Sequence, residues 1–305
     1  MINVLLQGYP YKLFDLDINK EKVSQISFPL IKAASILKDY GVNLFTLKDE
    51  FSVKPDLVIY WDFKRKKIPK YKNLPSILMR LEPPTIKSRQ WEKSINNIFD
   101  LIGSFNSWNI EPQKFFKVGY PHDLSNINYF KSKNYSEKII DFSMITRNKI
   151  PKYYKNQLIS LINARQEIVK FFEKNKKYKF NLYGDGWGIG MLKPTKYNFY
   201  LSYTLQKIFS SQLNKETRYS PKNYCGILKD KVLTIKKSKF VFSLENTIVD
   251  GYLTEKIVDT FKYGAIPIYQ GDPIFIDKFK NNKIFINPQE FENLEELVNY
   301  CLNIS

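Results

Sequence analysis

Residues 239–273 read KFVFSLENTIVDGYLTEKIVDTFKYGAIPIYQGDP. Residues 239–244 are apolar and aromatic, the pattern of a strand buried on both faces. Residues 245–251 break that run with Glu, Asn, Thr, Asp and Gly, a loop composition. Leu253, Ile257, Val258 and Phe261 then recur at helical spacing, and Gly264 stops the helix. Residues 266–269 form a second apolar strand, closed by Gly271, Asp272 and Pro273. Strand, helix, strand is a βαβ unit, and its ligand groups are expected at the carboxyl ends of the strands. That end holds Glu245, Asn246, Tyr252, Thr254, Glu255 and Lys256 beside a helix N-terminus, a natural anion site.

Upstream, residues 2–7, 42–46, 56–62, 75–82, 99–105 and 115–120 read as strands, with an amphipathic helix over 28–40 ended by Gly41. Residues 121–137 are polar and form the best candidate linker. Residues 138–146 open a second series, followed by a helix over 157–173 and a strand at 180–183 ending in Gly184-Asp185-Gly186-Trp187. Residues 193–222 show no clean period. A short strand at 284–287 and a helix at 294–302 complete the chain. Strands alternating with helices predict α/β architecture with mainly parallel sheets. We expect two Rossmann-like domains, 1–135 and 136–305, without a GxGxxG loop.

The chain has 305 residues, 43% of them hydrophobic and 16% aromatic, which places it among globular rather than disordered sequences. A formal net charge of +18 is compatible with a polyanionic partner, an anionic membrane surface or a phosphate-bearing substrate. AT-rich coding, which enriches Lys, Asn, Ile, Phe and Tyr together, explains the same total, and the lysines are dispersed. Two distant cysteines, Cys225 and Cys301, and one histidine, His122, make no zinc pattern and no disulfide framework. With no signal-like or membrane-length apolar run, a cytoplasmic protein is expected, with peripheral contact to the inner membrane face compatible with its charge.

FSLEN, GYLTEKI and GAIPIYQG, in this order within one βαβ unit, resemble the donor-binding signature of the α-1,3/4-fucosyltransferases, glycosyltransferase family 10. SMITRNK, NARQEIVKFF, FNLYGDGW and YCGILKDK extend the resemblance, and RLEPP at 80–84 is similar to the turn carrying the family's proposed base. The resemblance implies a GT-B fold, two Rossmann-like domains facing across a cleft, acceptor side first. It also implies inverting transfer of fucose from GDP-fucose, the donor substrate, to a hydroxyl of an N-acetylglucosamine-containing glycan, either an oligosaccharide or a lipopolysaccharide. The alternatives are a transferase using another GDP-sugar and a basic nucleic-acid-binding protein; the sequence shows no RRM, KH or zinc pattern for the latter.

Residue roles follow from the resemblance. Glu255 and Lys256 would serve the donor, Lys256 as a cation for the departing diphosphate. The plainer alternative is a solvated first-turn lysine. Asn246 and Tyr252 match positions near the donor; Tyr252 could instead pack at the helix entry, and Glu245 could hold the loop. Arg218, Lys231 and Arg147 are further candidates for the phosphates, with Arg165 in competition. Glu82, before Pro83 and Pro84 at a strand end, is the candidate general base, with Asp62 in reserve. Asp15-Leu16-Asp17 is formally a DxD metal motif but lies far from the donor signature, and no metal is expected to be required.

Overall fold

The structure, a computed structural model, describes residues 1–9, 13, 27–49, 53–61, 71, 73–106, 111–122, 135, 137–148, 160–187, 191–192, 218–219 and 221–304. Asp15, Asp17 and Asp62, most of the linker and residues 193–217 lie outside these. The chain divides into two compact units, Met1–Ser125 with Asp250–Glu255, and Asn126–Val249 with Lys256–Ser305.

In the first unit, β1 (Ile2–Gln7), β2 (Val42–Phe45), β3 (Leu57–Tyr60), β4 (Ser76–Arg80), β5 (Leu101–Ser104) and β6 (Phe115–Lys117) form one sheet. Its order is β2-β1-β3-β4-β5-β6, and every pair is parallel. Alternate β1 residues serve opposite faces. Val4 and Leu6 pack with Ile31 and Ala34 of helix α1 (Ser27–Asp39), while Leu5 joins Val58, Leu78 and Ile102 in a separate cluster. Burial on both faces explains why these strands read as unbroken apolar runs. Short helices α2 (Pro84–Lys87) and α3 (Lys93–Asn96) follow β4.

In the second unit, β7 (Ile140–Ile145), β8 (Phe180–Tyr183), β11 (Ser238–Leu244) and β12 (Ile266–Gln270) form a parallel sheet in the order β12-β11-β7-β8. A two-residue antiparallel ribbon, β9 (Met191–Leu192) with β10 (Arg218–Tyr219), stands apart from it. Phe142, Phe240 and Phe242 pack against Ile168, Val169 and Phe172 of α4 (Ile162–Lys174) and Leu297, Val298 and Cys301 of α8 (Leu294–Asn303). Between them lie α5 (Lys231–Lys237), α6 (Glu255–Lys262) and α7 (Pro273–Phe279).

Three local expectations change. Residues 284–287 do not form a strand; Ile286 makes a single parallel bridge to Ile268. The helix expected from 157 starts at Ile162, because Ser160 bridges to Thr247. Asp272-Pro273 ends β12 and also starts a helix, with the Asp272 carboxylate accepting from Ile274 N at 3.0 Å and Pro273 in the first turn, where its missing N–H is harmless. No helix among the described residues is long and apolar enough to cross a membrane.

Candidate active site

Both sheets are wound alike, stepping one way for the second strand and the other way for the third. In open α/β sheets, ligands bind at the carboxyl ends of the strands where this reversal occurs. In the second unit the reversal lies between β7 and β11. Arg147 follows β7 at that edge, and Glu245 and Asn246 follow β11. The topology thus brings together residues about a hundred positions apart in sequence.

The loop after β11 is held from beneath by Arg165 on α4. Its side chain is wholly buried, and one guanidinium nitrogen donates to the Leu244 carbonyl at 2.7 Å, the Glu245 carbonyl at 2.8 Å and Asn246 Oδ1 at 3.1 Å. A planar cationic donor suits a turn whose carbonyls point inward. Arg165 is therefore a loop-holding residue. The signal was available: it lies four after Leu161 and three before Ile168, inside the apolar stripe of α4.

Glu245 is 0% exposed, and its Oε2 accepts from Lys256 Nζ at 2.9 Å. Lys256 is in the first turn of α6, so its ammonium is fixed beside the helix N-terminus. Gly271 makes room for this pair: a Cβ there would stand 2.4 Å from Glu245 Cγ and 2.6 Å from the Tyr269 hydroxyl. Burial, and then the adjacent Glu245 charge, push the Tyr269 hydroxyl far up in pKa, keeping it neutral. That hydroxyl accepts from the Asp272 N–H at 3.0 Å.

Arg147 is exposed on a turn built by the Gly184-Asp185-Gly186-Trp187 segment. Gly184 has φ +129°, and a Cβ there would meet the Thr146 carbonyl oxygen at 2.0 Å, so only glycine permits the approach. The Trp187 indole donates to the same carbonyl at 2.8 Å, and Asn148 N donates to the Asp185 carbonyl at 2.9 Å. The two glycines bring a second loop against the Arg147 turn.

The buried face of α6 differs from the expected stripe. Phe261 is 38% exposed, whereas Thr260 is 0% exposed because its hydroxyl meets Ser243 Oγ at 2.8 Å and the Lys256 carbonyl at 2.8 Å. Asp259 is buried too and pairs with Lys231 of α5. Lys231 thus ties α5 to α6. Of Arg218, the structure describes the backbone, in β10.

In the first unit, Glu82 lies two residues beyond β4 at the carboxyl edge. Pro83 is extended and Pro84 begins α2. The Trp91 indole donates to the Glu82 carbonyl at 3.0 Å, and the Tyr252 hydroxyl donates to Glu82 Oε2 at 3.2 Å. Tyr252 is 2% exposed, so the packing role left open for it is realised. Its ring lies 5.2 Å from Phe105, which in turn lies 5.3 Å from Trp91. Burial lowers the pKa of His122, also in this unit, and Glu255 opposes this more weakly. Among the described residues no group of three His, Cys, Asp or Glu is placed to hold a metal ion.

Two doubly wound parallel units of this kind define the GT-B class of glycosyltransferase fold. A solved α1,3-fucosyltransferase with GDP shares it, at TM-score 0.52 and 16% identity over 99% of this chain and 77% of that one. Residues 218–305 match the C-terminal domain model of glycosyltransferase family 10 (fucosyltransferase), confirming over this segment the family recognised from the motif. The chain is 40% identical over 73 residues to an α-(1,3)-fucosyltransferase, FucT, of Helicobacter pylori. It is 38% identical over 66 residues to human GDP-fucose protein O-fucosyltransferase 3. These matches span 24% and 22% of this chain, and 15% and 14% of those relatives.

Proposed function

We propose that the protein is an inverting glycosyltransferase that moves fucose from GDP-fucose to a hydroxyl of an N-acetylglucosamine-containing glycan. The observation that carries this reading is Lys256, locked by a buried carboxylate at the start of α6 beside the second unit's topological switch point. Its segment is the one that matches the family model. The departing diphosphate gains negative charge as the glycosidic bond breaks. Lys256 and the N–H groups opening α6 oppose that charge, and Arg147, Arg218 and Lys231 are the further cations considered for it. Asn246, with Oδ1 held by Arg165, offers its amide nitrogen to a ribose or sugar oxygen, and Glu255 an acceptor to a hydroxyl.

The acceptor oxygen attacks the anomeric carbon as its bond to GDP breaks, and the acceptor's proton passes to Glu82. In this reading Asn246 and Lys256, on the second unit, serve the donor, and Glu82, on the first, takes the proton. Guanine as the nucleobase and fucose as the sugar rest on the family match.

A thermal-shift panel of GDP, UDP, CMP and their sugars tests the donor. GDP and GDP-fucose should raise the melting temperature, and equal stabilisation by UDP would refute the assignment. Lys256→Ala should lower turnover about a hundredfold, as for loss of a transition-state charge partner. Near-normal turnover would remove Lys256 from the site.

A further inference from the structure

We propose that Tyr252 is a positioning residue that orients the Glu82 carboxylate, an inference resting on Glu82 being the base. A glutamate at a strand end has three rotatable side-chain bonds, and a base works only while its oxygen stays within hydrogen-bond reach of the proton it takes. Here the residue is held at both ends. The Trp91 indole grips its backbone carbonyl at 3.0 Å, and the Tyr252 phenol grips Oε2 at 3.2 Å.

The two gripping residues share a support. Phe105 packs against Trp91 at 5.3 Å and against Tyr252 at 5.2 Å. The Arg80 guanidinium also lies over the Trp91 ring at 5.2 Å, and its Nη2 donates to Asn96 Oδ1 at 2.6 Å. The close approach of Tyr252 is made possible by its neighbour. Gly251 has φ +76°, and a Cβ on it would stand 2.4 Å from the Phe105 carbonyl oxygen. Glycine at 251 is thus required for the segment to come down on Phe105 and bring the phenol to Glu82. Tyr252 also precedes Lys256 by four residues, so one stretch of chain supplies a donor cation and the group that aims the base.

The experiment is a double-mutant cycle on Tyr252→Phe and Glu82→Gln, with GDP-fucose and an N-acetylglucosaminide acceptor, alongside GDP titration by calorimetry. The phenylalanine variant keeps the ring and its packing. It should lower kcat about tenfold, as expected for losing a hydrogen bond to a charged group, while donor KM and GDP affinity stay within about twofold. In the Glu82→Gln background it should lower the remaining turnover no further. An unchanged kcat in Tyr252→Phe, or an equal loss in the Glu82→Gln background, overturns the proposal. A tenfold weaker GDP affinity also overturns it and makes Tyr252 a donor ligand. If Glu82→Gln itself turns over normally, the base assignment fails; if it is inactive while Tyr252→Phe is normal, the positioning role alone fails. Should Tyr252→Phe unfold, Trp91→Phe, which removes the other grip, should show the same fall in kcat at constant GDP affinity, and a normal kcat there refutes the clamp.

Discussion

The ion pair between Glu245 and Lys256 separates stability from donor binding in a way that can be measured. At 2.9 Å the gross attraction is about 6 kcal/mol with an effective dielectric near 20. Desolvation offsets much of that, and removal of one partner of a buried pair typically costs ~3–5 kcal/mol, because the other charge stays buried. The two partners are unequal: Glu245 is 0% exposed and the Lys256 side chain 16%. Lys256→Met therefore strands the carboxylate and should cost about 4 kcal/mol, whereas Glu245→Gln leaves an ammonium that can turn toward water and should cost roughly half as much. The double variant should recover a coupling of about 3 kcal/mol relative to the sum of the singles. Guanidinium unfolding of the four proteins, followed by tryptophan fluorescence, reads this directly. The double variant should be folded, less destabilised than the sum, and inactive. Strict additivity, with coupling below about 0.5 kcal/mol, would show that the pair does not hold the loop and that Lys256 is placed by something else.

Lys138 is buried, and burial lowers its ammonium to about 8 from the ordinary 10.5. Between those values the unfolded chain binds more protons, so stability should rise with pH from about 8 to 10.5, and the penalty is fully present below 8. Lys138→Met should remove that slope and stabilise the protein at pH 7; denaturant midpoints measured across pH 7–10.5 decide, and an unchanged slope refutes the assignment. Gly184→Ala should destabilise by at least ~3 kcal/mol, since its Cβ would stand 2.0 Å from the Thr146 carbonyl, whereas Gly119→Ala, with no atom within 4 Å, should stay within about 0.5 kcal/mol. Equal melting temperatures for the two would contradict the close packing. Arg165→Met should raise the GDP dissociation constant several-fold without touching the nucleotide; an unchanged constant would show that the loop holds its shape unaided.

Much of the central βαβ unit is readable because its strands are buried on both faces and its helix is bounded by a polar loop and Gly264. The readable part stops where polar groups replace apolar ones in the interior. Helical spacing points to Phe261 as a core residue and gives Thr260 no mark; the hydroxyl pair between Thr260 and Ser243 reverses that order. Arg165 stands among the phosphate candidates because a lone arginine carries no mark of burial until its place in the α4 stripe is checked. Strand order is beyond the pattern altogether. Nothing in local periodicity says that β11 returns beside β7 rather than beyond β8, yet that single choice places Arg147 next to Glu245 and Asn246. Helices α5 and α7 carry no readable period because each is seven residues long and is set by an aspartate cap rather than by an apolar stripe.

The carboxylates behind the site lysines bear on how a diphosphate would be bound. A surface lysine loses up to ~2 kcal/mol of rotamer freedom when it is fixed on a ligand. Lys256 is already fixed, by Glu245, and Lys231 by Asp259, so that ordering is completed during folding rather than at binding. An ammonium has three donors, so Lys256 can keep its bond to Glu245 while directing another N–H to a phosphate oxygen. The same carboxylates cancel much of the local positive charge. In the proposed reaction, selection of a developing diphosphate would therefore rest on oriented N–H groups at the start of α6 and preplaced ammonium donors more than on bulk charge. This is why a single buried glutamate matters to the proposed chemistry through the lysine it holds.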